Sequence, residues 1–310
     1  MSGPPTVDLS TDAPSALADA LVASSCALIV GHGVPADLRA EMATVSAAFF
    51  DLDEDEKALV RWPGTGPWHG WQPVYAGAPE LTGDRVPDLV ERFEVQEIDD
   101  FGLWPERPAS LRATWVAYYR ACAELASGLM AGIATALDLP ATELGAWTTG
   151  QFANLVVNNY PAQPEPPLPG QVRVGPHTDR GGFTLLAADA APGGLEVRLP
   201  GSSRWIAVQI PPEAYLVQAG DLLSRWTNRL IRANAHQVVN PPREVAATAR
   251  RQAVVFFHYP ALDHIVVPAP ACVAASGNPP MRPLHAGDHL LHRQAAFALS
   301  SAERYGDLDD

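Results

Sequence analysis

The second half of the chain is a succession of short apolar or alternating stretches, each bounded by glycine, proline, asparagine or aspartate. Stretches of this length and pattern are typical of β-strands joined by turns. Many short strands in regular succession fold into a sandwich, a jelly roll or a barrel. The pattern predicts strands at residues 155–159, 183–187, 195–199, 205–210, 215–218 and 253–258.

Helical patterns flank this strand-rich region. Residues 36–50 place apolar side chains at the spacing of one helix face. Residues 110–137 are rich in alanine and leucine and end before Pro140, so they predict a long supporting helix. Shorter features are helices at 13–22 and 287–300, a buried strand at 27–30, a solvated charged stretch at 53–57, and loops with short strands at 63–108. The predicted fold is a mostly β core with flanking helices, of the α+β class.

The charge of the chain limits its partners. A formal net charge of −14 opposes binding to nucleic acid and to anionic lipid, which are bound chiefly through lysine and arginine. No apolar run approaches the roughly 20 residues needed to span a bilayer. Cys26, Cys122 and Cys272 lack the spacing of a zinc site or a disulfide framework. We expect a soluble cytoplasmic protein that acts on a small molecule and needs no obligate protein partner.

Two histidines and an aspartate form the most informative pattern. His177 and Asp179 are two residues apart, and residues i and i+2 of a strand point to the same side. His236 follows much later, in the run Asn-Ala-His-Gln-Val. Two histidines and one carboxylate on one face leave positions of a metal ion open, an arrangement associated with Fe(II) oxygenases. Taken alone, a His-x-Asp pair is more often a surface or turn feature.

An arginine supports the metal-site interpretation. Arg251 opens an apolar run that ends at Phe257, and an unpaired cation at the head of a buried strand is costly. A dicarboxylate cosubstrate that binds iron at one end and Arg251 at the other would supply the partner, since a planar guanidinium suits a carboxylate. The alternative is an arginine at the strand edge, paired with a surface glutamate or water.

Further motifs follow one another along the chain. They are Val7-Asp8-Leu9-Ser10, Gly31-His32-Gly33-Val34-Pro35, Phe49-Phe50, Asp88-Leu89-Val90-Glu91-Arg92-Phe93, Asn158-Asn159-Tyr160-Pro161, Gly193-Gly194-Leu195-Glu196-Val197 and Gly220-Asp221-Leu222. Together with the histidines, the aspartate and Arg251, this series resembles the Fe(II)/2-oxoglutarate-dependent oxygenases of the isopenicillin N synthase-like group. The likeness covers nearly the whole chain.

The resemblance implies a distorted double-stranded β-helix, a jelly-roll fold, whose mouth holds Fe(II) on the two histidines and the aspartate. It further implies that Asn158, Tyr160 and Arg251 bind 2-oxoglutarate as cosubstrate and that O2 is the oxidant. Without the resemblance, Asn158 is equally typical of a turn and Tyr160 of a half-buried strand.

The same resemblance suggests how the chain is divided and what it does. It implies an N-terminal non-haem dioxygenase region at 1–108, supporting helices at 109–148, the oxygenase core at 149–262 and a C-terminal extension at 263–310. The expected reaction oxidises an unactivated C–H bond, by hydroxylation or by desaturation or cyclisation. The expected substrate is a compact amino-acid-like or natural-product metabolite, as in antibiotic biosynthesis.

Three positions depart from the family pattern. Ala253 stands two residues after Arg251, where a serine hydroxyl usually helps to bind the far carboxylate of the cosubstrate. Loss of a charge-assisted hydrogen bond costs roughly 1.5–3 kcal/mol, enough to weaken cosubstrate binding without abolishing it. Gln237 replaces an arginine that commonly follows the distal histidine, and Arg180 replaces a frequent aromatic after Asp179. Two alternatives therefore stay open: an iron oxidase that does not use 2-oxoglutarate, and a non-catalytic small-molecule binding protein on the same fold.

Candidates for substrate contact lie mainly in the irregular region expected to cap the mouth. Loops near an active site often carry such contacts, but simple packing explains aromatic side chains there equally well. The candidates are Arg180, Trp68, His69, Trp71 and Arg92.

Overall fold

A computed structural model describes residues 3–64, 69–74, 87–96 and 103–299 of the chain. The strands are β1 (Thr6–Asp8), β2 (Cys26–Val30), β3 (Gly70–Gln72), β4 (Glu91–Gln96), β5 (Phe152–Tyr160), β6 (Val174–His177), β7 (Phe183–Ala188), β8 (Leu195–Arg198), β9 (Trp205–Ala207), β10 (Tyr215–Ala219), β11 (Ala235–Val238), β12 (Arg251–Tyr259), β13 (Ile265–Val266) and β14 (Leu284–His285). The helices are α1 (Ala16–Ser24), α2 (Ala36–Phe50), α3 (Glu54–Ala58), α4 (Leu111–Ala136), α5 (Ala141–Trp147), α6 (Asp221–Trp226), α7 (Arg243–Ala246), α8 (Pro270–Ser276) and α9 (Ala286–Leu299). None of these helices is long and apolar enough to cross a membrane.

Two sheets form the centre of the molecule. The large sheet has the strand order β1-β2-β10-β7-β12-β5-β4-β3, and the small sheet has the order β6-β11-β8-β9. The long strands β5 and β12 pair antiparallel, from Tyr160 opposite Arg251 to Phe152 opposite Tyr259. This arrangement, with helices packed outside, is a double-stranded β-helix of the jelly-roll type. The predicted fold class is confirmed.

The large sheet separates two apolar cores because successive residues of a strand point to opposite faces. Leu155 and Phe256 face the helices and pack with the fully buried Trp115 of α4. Val156 and Val255 face the small sheet. The second core lies between the two sheets and surrounds the site described below.

The helices confirm two sequence predictions and correct part of a third. The bounds of α2 match the predicted helix at 36–50, and α4 covers most of 110–137. The predicted solvated charged stretch at 53–57 is exposed at Asp53, Glu54 and Asp55, but its last residue, Lys57, is buried with 9% exposure. Its ammonium forms an ion pair with Glu91 at 3.0 Å and lies 5.1 Å from the ring centroid of Trp71. Both partners come from remote strands, so local charge could not reveal this burial.

Candidate metal centre and active site

The two histidines lie opposite each other on neighbouring strands. His177 ends β6, His236 is the second residue of β11, and antiparallel pairing sets these two residues in register. Their ring centroids are 4.2 Å apart. A cross-strand pair therefore brings together two imidazoles that are far apart in the chain.

Asp179 lies beyond the end of β6, so the strand alternation assumed from the sequence does not position it. Its backbone carbonyl accepts a hydrogen bond from the N–H of Asp221 at 2.8 Å, and its Oδ2 accepts one from the hydroxyl of Thr184. Its Oδ1 is 3.9 Å from Nε2 of His177 and 3.8 Å from Nε2 of His236. The three potential ligand atoms all lie within 4.8 Å of one another.

Hydrogen bonds to the backbone fix the orientation of both rings. Nδ1 of His177 lies 2.9 Å from the carbonyl oxygen of Gly175, and Nδ1 of His236 lies 3.1 Å from that of Asn234. Because a carbonyl oxygen only accepts, Nδ1 carries the proton in each ring and Nε2 offers its lone pair. Two imidazole nitrogens and a carboxylate oxygen that converge on one point fit a divalent metal ion with open coordination positions.

A cavity of about 130 Å³ extends from these residues between the two sheets. Arg251, the first residue of β12, lines the cavity and is 4% exposed. Its guanidinium carbon lies 5.2 Å from the ring centroid of Tyr160, its cross-strand partner. The buried Nη1 of Arg251 has no hydrogen-bond partner among the described residues. A buried cation with an unused donor fits a carboxylate ligand.

Asn158 and Ala253 line the cavity next to this arginine. They face each other in the register of β5 and β12, and the buried Oδ1 of Asn158 accepts no hydrogen bond from the described part of the chain. The methyl group of Ala253 offers no hydrogen bond to a ligand. Gln237 is engaged elsewhere, since its Nε2 donates to Oε2 of Glu196 at 2.7 Å.

Arg173 is a second buried arginine at this end of the cavity, and sequence reasoning missed it. Its guanidinium carbon lies 5.6 Å from the ring centroid of Tyr160. It donates hydrogen bonds to the backbone carbonyls of Pro192, Gly193 and Ala249. Burial lowers the pKa of Arg173 to about 10, and the charge of Arg251 acts in the same direction. No motif marks Arg173, because its partners are backbone atoms of distant loops.

Two of the predicted substrate contacts lie at the cavity. Arg92 on β4 and Arg180 after the metal-site aspartate are half-buried and line it. Arg92 lies opposite Asn158 in the pairing of β4 with β5. Trp68 lies outside the described residues. Arg92 and Arg180 are therefore predicted contacts that the geometry places at the cavity.

His69 and Trp71 lie in the helix-facing core instead. The ring of His69 packs edge-on against Trp104 with centroids 5.5 Å apart, and burial lowers the pKa of His69 to about 4. Nε1 of Trp71 donates to Oε2 of Glu91 at 2.9 Å. Neither side chain is among the residues that line the cavity, and their contact with substrate stays a prediction. Trp71 and Trp104 belong to the apolar core that faces the helices.

Glu94 is an acidic residue of the cavity that the sequence analysis missed. It lies on β4 and is 3% exposed. Its Oε1 accepts from Nδ2 of Asn154 at 3.0 Å, and its Oε2 accepts from Nε2 of Gln72 at 3.3 Å. Burial raises the pKa of Glu94 to about 7, against the lowering effect of Arg92 and Arg180. The alternation of apolar and polar residues along β4 was the sequence feature that could have placed Glu94 on the face of the cavity.

Two family profiles match the chain. The profile of the 2OG-Fe(II) oxygenase superfamily matches residues 152–260, which include the histidines, the aspartate and Arg251. The profile described as the non-haem dioxygenase in morphine synthesis N-terminal region matches residues 5–114.

Individual relatives agree with the profiles. The chain is 31% identical over 288 residues to validamycin A dioxygenase from Streptomyces hygroscopicus subsp. limoneus, covering 86% of this chain and 76% of the relative. It is 26% identical over 220 residues to the 2-oxoglutarate-dependent dioxygenase thnC of Trichoderma harzianum, covering 68% of each chain. Among solved structures, a full-length protein of Neurospora crassa in complex with alpha-KG and thymine matches with a TM-score of 0.82 and 27% identity, over 94% of this chain and 96% of that one.

Proposed function

This chain belongs to the 2-oxoglutarate- and Fe(II)-dependent oxygenase superfamily, and we propose that His177, Asp179 and His236 hold its iron. The protein is a non-haem dioxygenase that uses Fe(II), 2-oxoglutarate and O2. The observation that best supports the ligand assignment is the convergence of three ligand atoms within 4.8 Å, with Nδ1 of each imidazole held by a backbone carbonyl.

The far carboxylate of 2-oxoglutarate is assigned to Arg251, with Tyr160 and Asn158 beside it. Arg251 is buried and keeps an unused Nη1 donor, and an ionised ligand is the partner such a cation needs. The amide of Asn158 can turn either its N–H groups or its oxygen to a ligand. Arg173 adds a second positive charge near Tyr160, which favours an anion at this end of the cavity.

Iron and 2-oxoglutarate, when bound, supply the oxidising power for attack on a C–H bond, with conversion of 2-oxoglutarate to succinate and carbon dioxide. The role of the side chains is to bind the metal and the cosubstrate and to orient them. Thr184 donates to Oδ2 of Asp179, which leaves Oδ1 for the metal, and the backbone carbonyls hold the protons of both imidazoles on Nδ1. Arg251 would select a dicarboxylate long enough to reach from the metal to its guanidinium group, and would orient it. Oxidation of a C–H bond in this way requires no general base from the protein.

The substrate assigned to this site is a small polar metabolite of the natural-product kind. The relatives support this class, since one is named for validamycin A and the Neurospora crassa protein was solved with thymine. The small cavity, with a few charged and amide side chains among apolar ones, suits a compact molecule. The mass of the product separates two outcomes: hydroxylation adds one oxygen, whereas desaturation or cyclisation removes two hydrogens.

The relatives disfavour both alternatives that the sequence left open. Several of them are named as 2-oxoglutarate-dependent dioxygenases, and the Neurospora crassa structure contains alpha-KG. An oxidase that needs no cosubstrate would leave the buried charge of Arg251 without an evident partner. A silent binding protein would not need two histidines with a fixed tautomer.

Arg251→Gln tests the cosubstrate assignment. Loss of a hydrogen-bonded charge pair of roughly 1.5–3 kcal/mol predicts a rise of about 10- to 150-fold in the Kd of 2-oxoglutarate. The measurement is an anaerobic titration of 2-oxoglutarate into the Fe(II)-loaded protein, followed by assay of succinate when oxygen is admitted. The matched control is Arg250→Gln, since Arg250 is half-buried and pairs with Asp51 instead. Equal effects of the two variants would contradict the assignment.

A further inference from the structure

The carboxylate of Glu94 is buried in the cavity without an ion-pair partner among the described residues. Its hydrogen bonds come from two neutral amides, Asn154 at 3.0 Å and Gln72 at 3.3 Å. A buried carboxylate is stabilised by more donors than these, because burial removes its hydration. The remaining lone pairs of the carboxylate are therefore open to a ligand.

Asn154 presents a second acceptor beside this carboxylate. Above the pKa of Glu94, about 7, its carboxylate only accepts, so Nδ2 of Asn154 faces it and this orientation fixes where Oδ1 points. Oδ1 is buried and accepts no hydrogen bond from the described residues. Both side chains line the cavity. The unpaired Oδ1 of Asn154 and the remaining lone pairs of Glu94 are neighbouring acceptors that suit a group with two N–H or O–H bonds.

This acceptor pair lies at the metal end of the cavity. Asn154 is opposite Phe257 in the register of β5 and β12, and Phe257 is opposite Thr184 on β7. Thr184 in turn donates to the candidate metal ligand Asp179. Tyr160, at the proposed cosubstrate end, is six residues from Asn154 on β5, which is about 20 Å along a strand. Glu94 is opposite Val156, two residues from Asn158 on β5, so the acceptor pair lies beside the proposed cosubstrate contacts and away from Tyr160.

The charged side chains around Glu94 determine whether a charged or an uncharged hydrogen-bond donor of a ligand fits beside it. Arg92 and Arg180 line the same cavity, and both act on the ionisation of Glu94. An ammonium group bound beside Glu94 would lie near both guanidinium groups, and each of them opposes a further cation. Uncharged donors, such as hydroxyl groups or amide and imide N–H groups, meet no such penalty.

We propose that Glu94 and Asn154 are specificity-determining residues that bind an uncharged pair of N–H or O–H donors on the substrate, close to the metal. This inference rests on the proposed function. The substrate class that follows is a neutral metabolite with vicinal hydroxyl groups or an amide or imide. Arg92 and Arg180 exclude cationic analogues of the same shape.

The test compares matched probes on the anaerobic protein loaded with Fe(II) and 2-oxoglutarate. The probes are a vicinal cyclohexanediol, its dimethyl ether and the corresponding amino alcohol, together with thymine and its N,N-dimethyl form. Binding is measured by ligand-observed NMR titration. The diol and thymine are expected to bind at least about 10-fold more tightly than their methylated forms, because each methyl group removes a donor to a buried acceptor. The amino alcohol is expected to bind more weakly than the diol.

Variants test whether Glu94 causes the preference for donor probes over methylated probes. Glu94→Gln is expected to bring the donor and methylated probes to within about 3-fold of each other, because an amide cannot accept on both sides. The surface control Glu244→Gln, on the exposed face of α7, keeps the wild-type preference. The comparison of probes on the wild-type protein needs no variant and so stands even if Glu94→Gln does not fold.

Several results overturn the proposal: methylated probes that bind as well as their parents, a preference that survives in Glu94→Gln, or no binding by either donor probe. The Kd of 2-oxoglutarate, measured in the same samples, separates this failure from failure of the proposed function. If 2-oxoglutarate binds tightly and the probes show no preference, only the role of Glu94 and Asn154 is lost. If 2-oxoglutarate does not bind, the proposed function is lost.

Discussion

Ala253→Ser should strengthen binding of 2-oxoglutarate. Ala253 is 2% exposed, lines the cavity and lies two residues after Arg251 on the same face of β12. A serine there would carry its hydroxyl into the pocket that Arg251 and Tyr160 border. The added hydrogen bond to an ionised carboxylate is worth roughly 1.5–3 kcal/mol, which lowers the Kd by about 10- to 150-fold.

The same hydroxyl should weaken the ligand-free protein. A buried hydroxyl without a partner costs about 1–3 kcal/mol, and the described neighbour Asn158 offers only partial compensation across the strands. Ala253→Ser is therefore expected to unfold at a lower temperature than the wild type without 2-oxoglutarate, and to gain more stability when saturating 2-oxoglutarate is added.

Anaerobic calorimetric titration of 2-oxoglutarate, with thermal unfolding on the same samples, measures both effects. The control is Val254→Thr, which adds a hydroxyl to the next residue on the face that packs against the helices. It is expected to lower stability while the Kd of 2-oxoglutarate stays within about 2-fold of wild type. If Ala253→Ser binds 2-oxoglutarate no more tightly than wild type, the cosubstrate carboxylate does not lie between Arg251 and Ala253.

Two further perturbations test the ionisation of Glu94 and the hydrogen bond that Asp179 accepts. The pKa of Glu94, raised from 4.5 to about 7 by burial, means that the folded state holds a proton which the unfolded state releases, so stability falls as pH rises from 4.5 to 7. Relative to Glu94→Gln, the wild type should lose about 3 kcal/mol of unfolding free energy over that range in urea titrations, and parallel pH profiles would contradict this. Thr184→Val removes the hydroxyl that donates to Asp179 and should weaken Fe(II) binding about 10- to 100-fold in anaerobic titrations; unchanged affinity would show that this hydrogen bond does not position the ligand.

Local sequence patterns were sufficient to predict a helix or strand whose own residues determine its structure. The helix at 36–50 was predicted with its observed bounds, because its apolar spacing is complete within the segment. The strands β5, β7, β8, β9, β10 and β12 were predicted for the same reason, since each is apolar or alternating and flanked by turn residues, whereas β6 and β11, which carry the two histidines, were not among the predicted strands. The order of motifs along the chain was sufficient to identify the oxygenase family, and the comparisons confirm that prediction.

What could not be predicted depends on contacts between distant segments. Lys57 looks solvated in the sequence, and only the fold brings Glu91 and Trp71 next to it. Arg173 and Glu94 acquire their roles only through β-sheet pairing and loops that no local pattern encodes. The position of Asp179 was assigned for the wrong reason, because β6 ends at His177 and a backbone hydrogen bond to Asp221 holds the loop. The division of the chain at 108, 148 and 262 stays a prediction.

Anaerobic titration of Fe(II) into the purified protein tests the central claim most directly. We expect one tightly bound iron per chain for the wild type and loss of that binding in His236→Ala. The control His264→Ala removes a half-buried histidine that faces Glu143 rather than the metal centre, and it should bind iron as the wild type does. Iron binding that is absent from the wild type, or that persists in His236→Ala, would contradict the account.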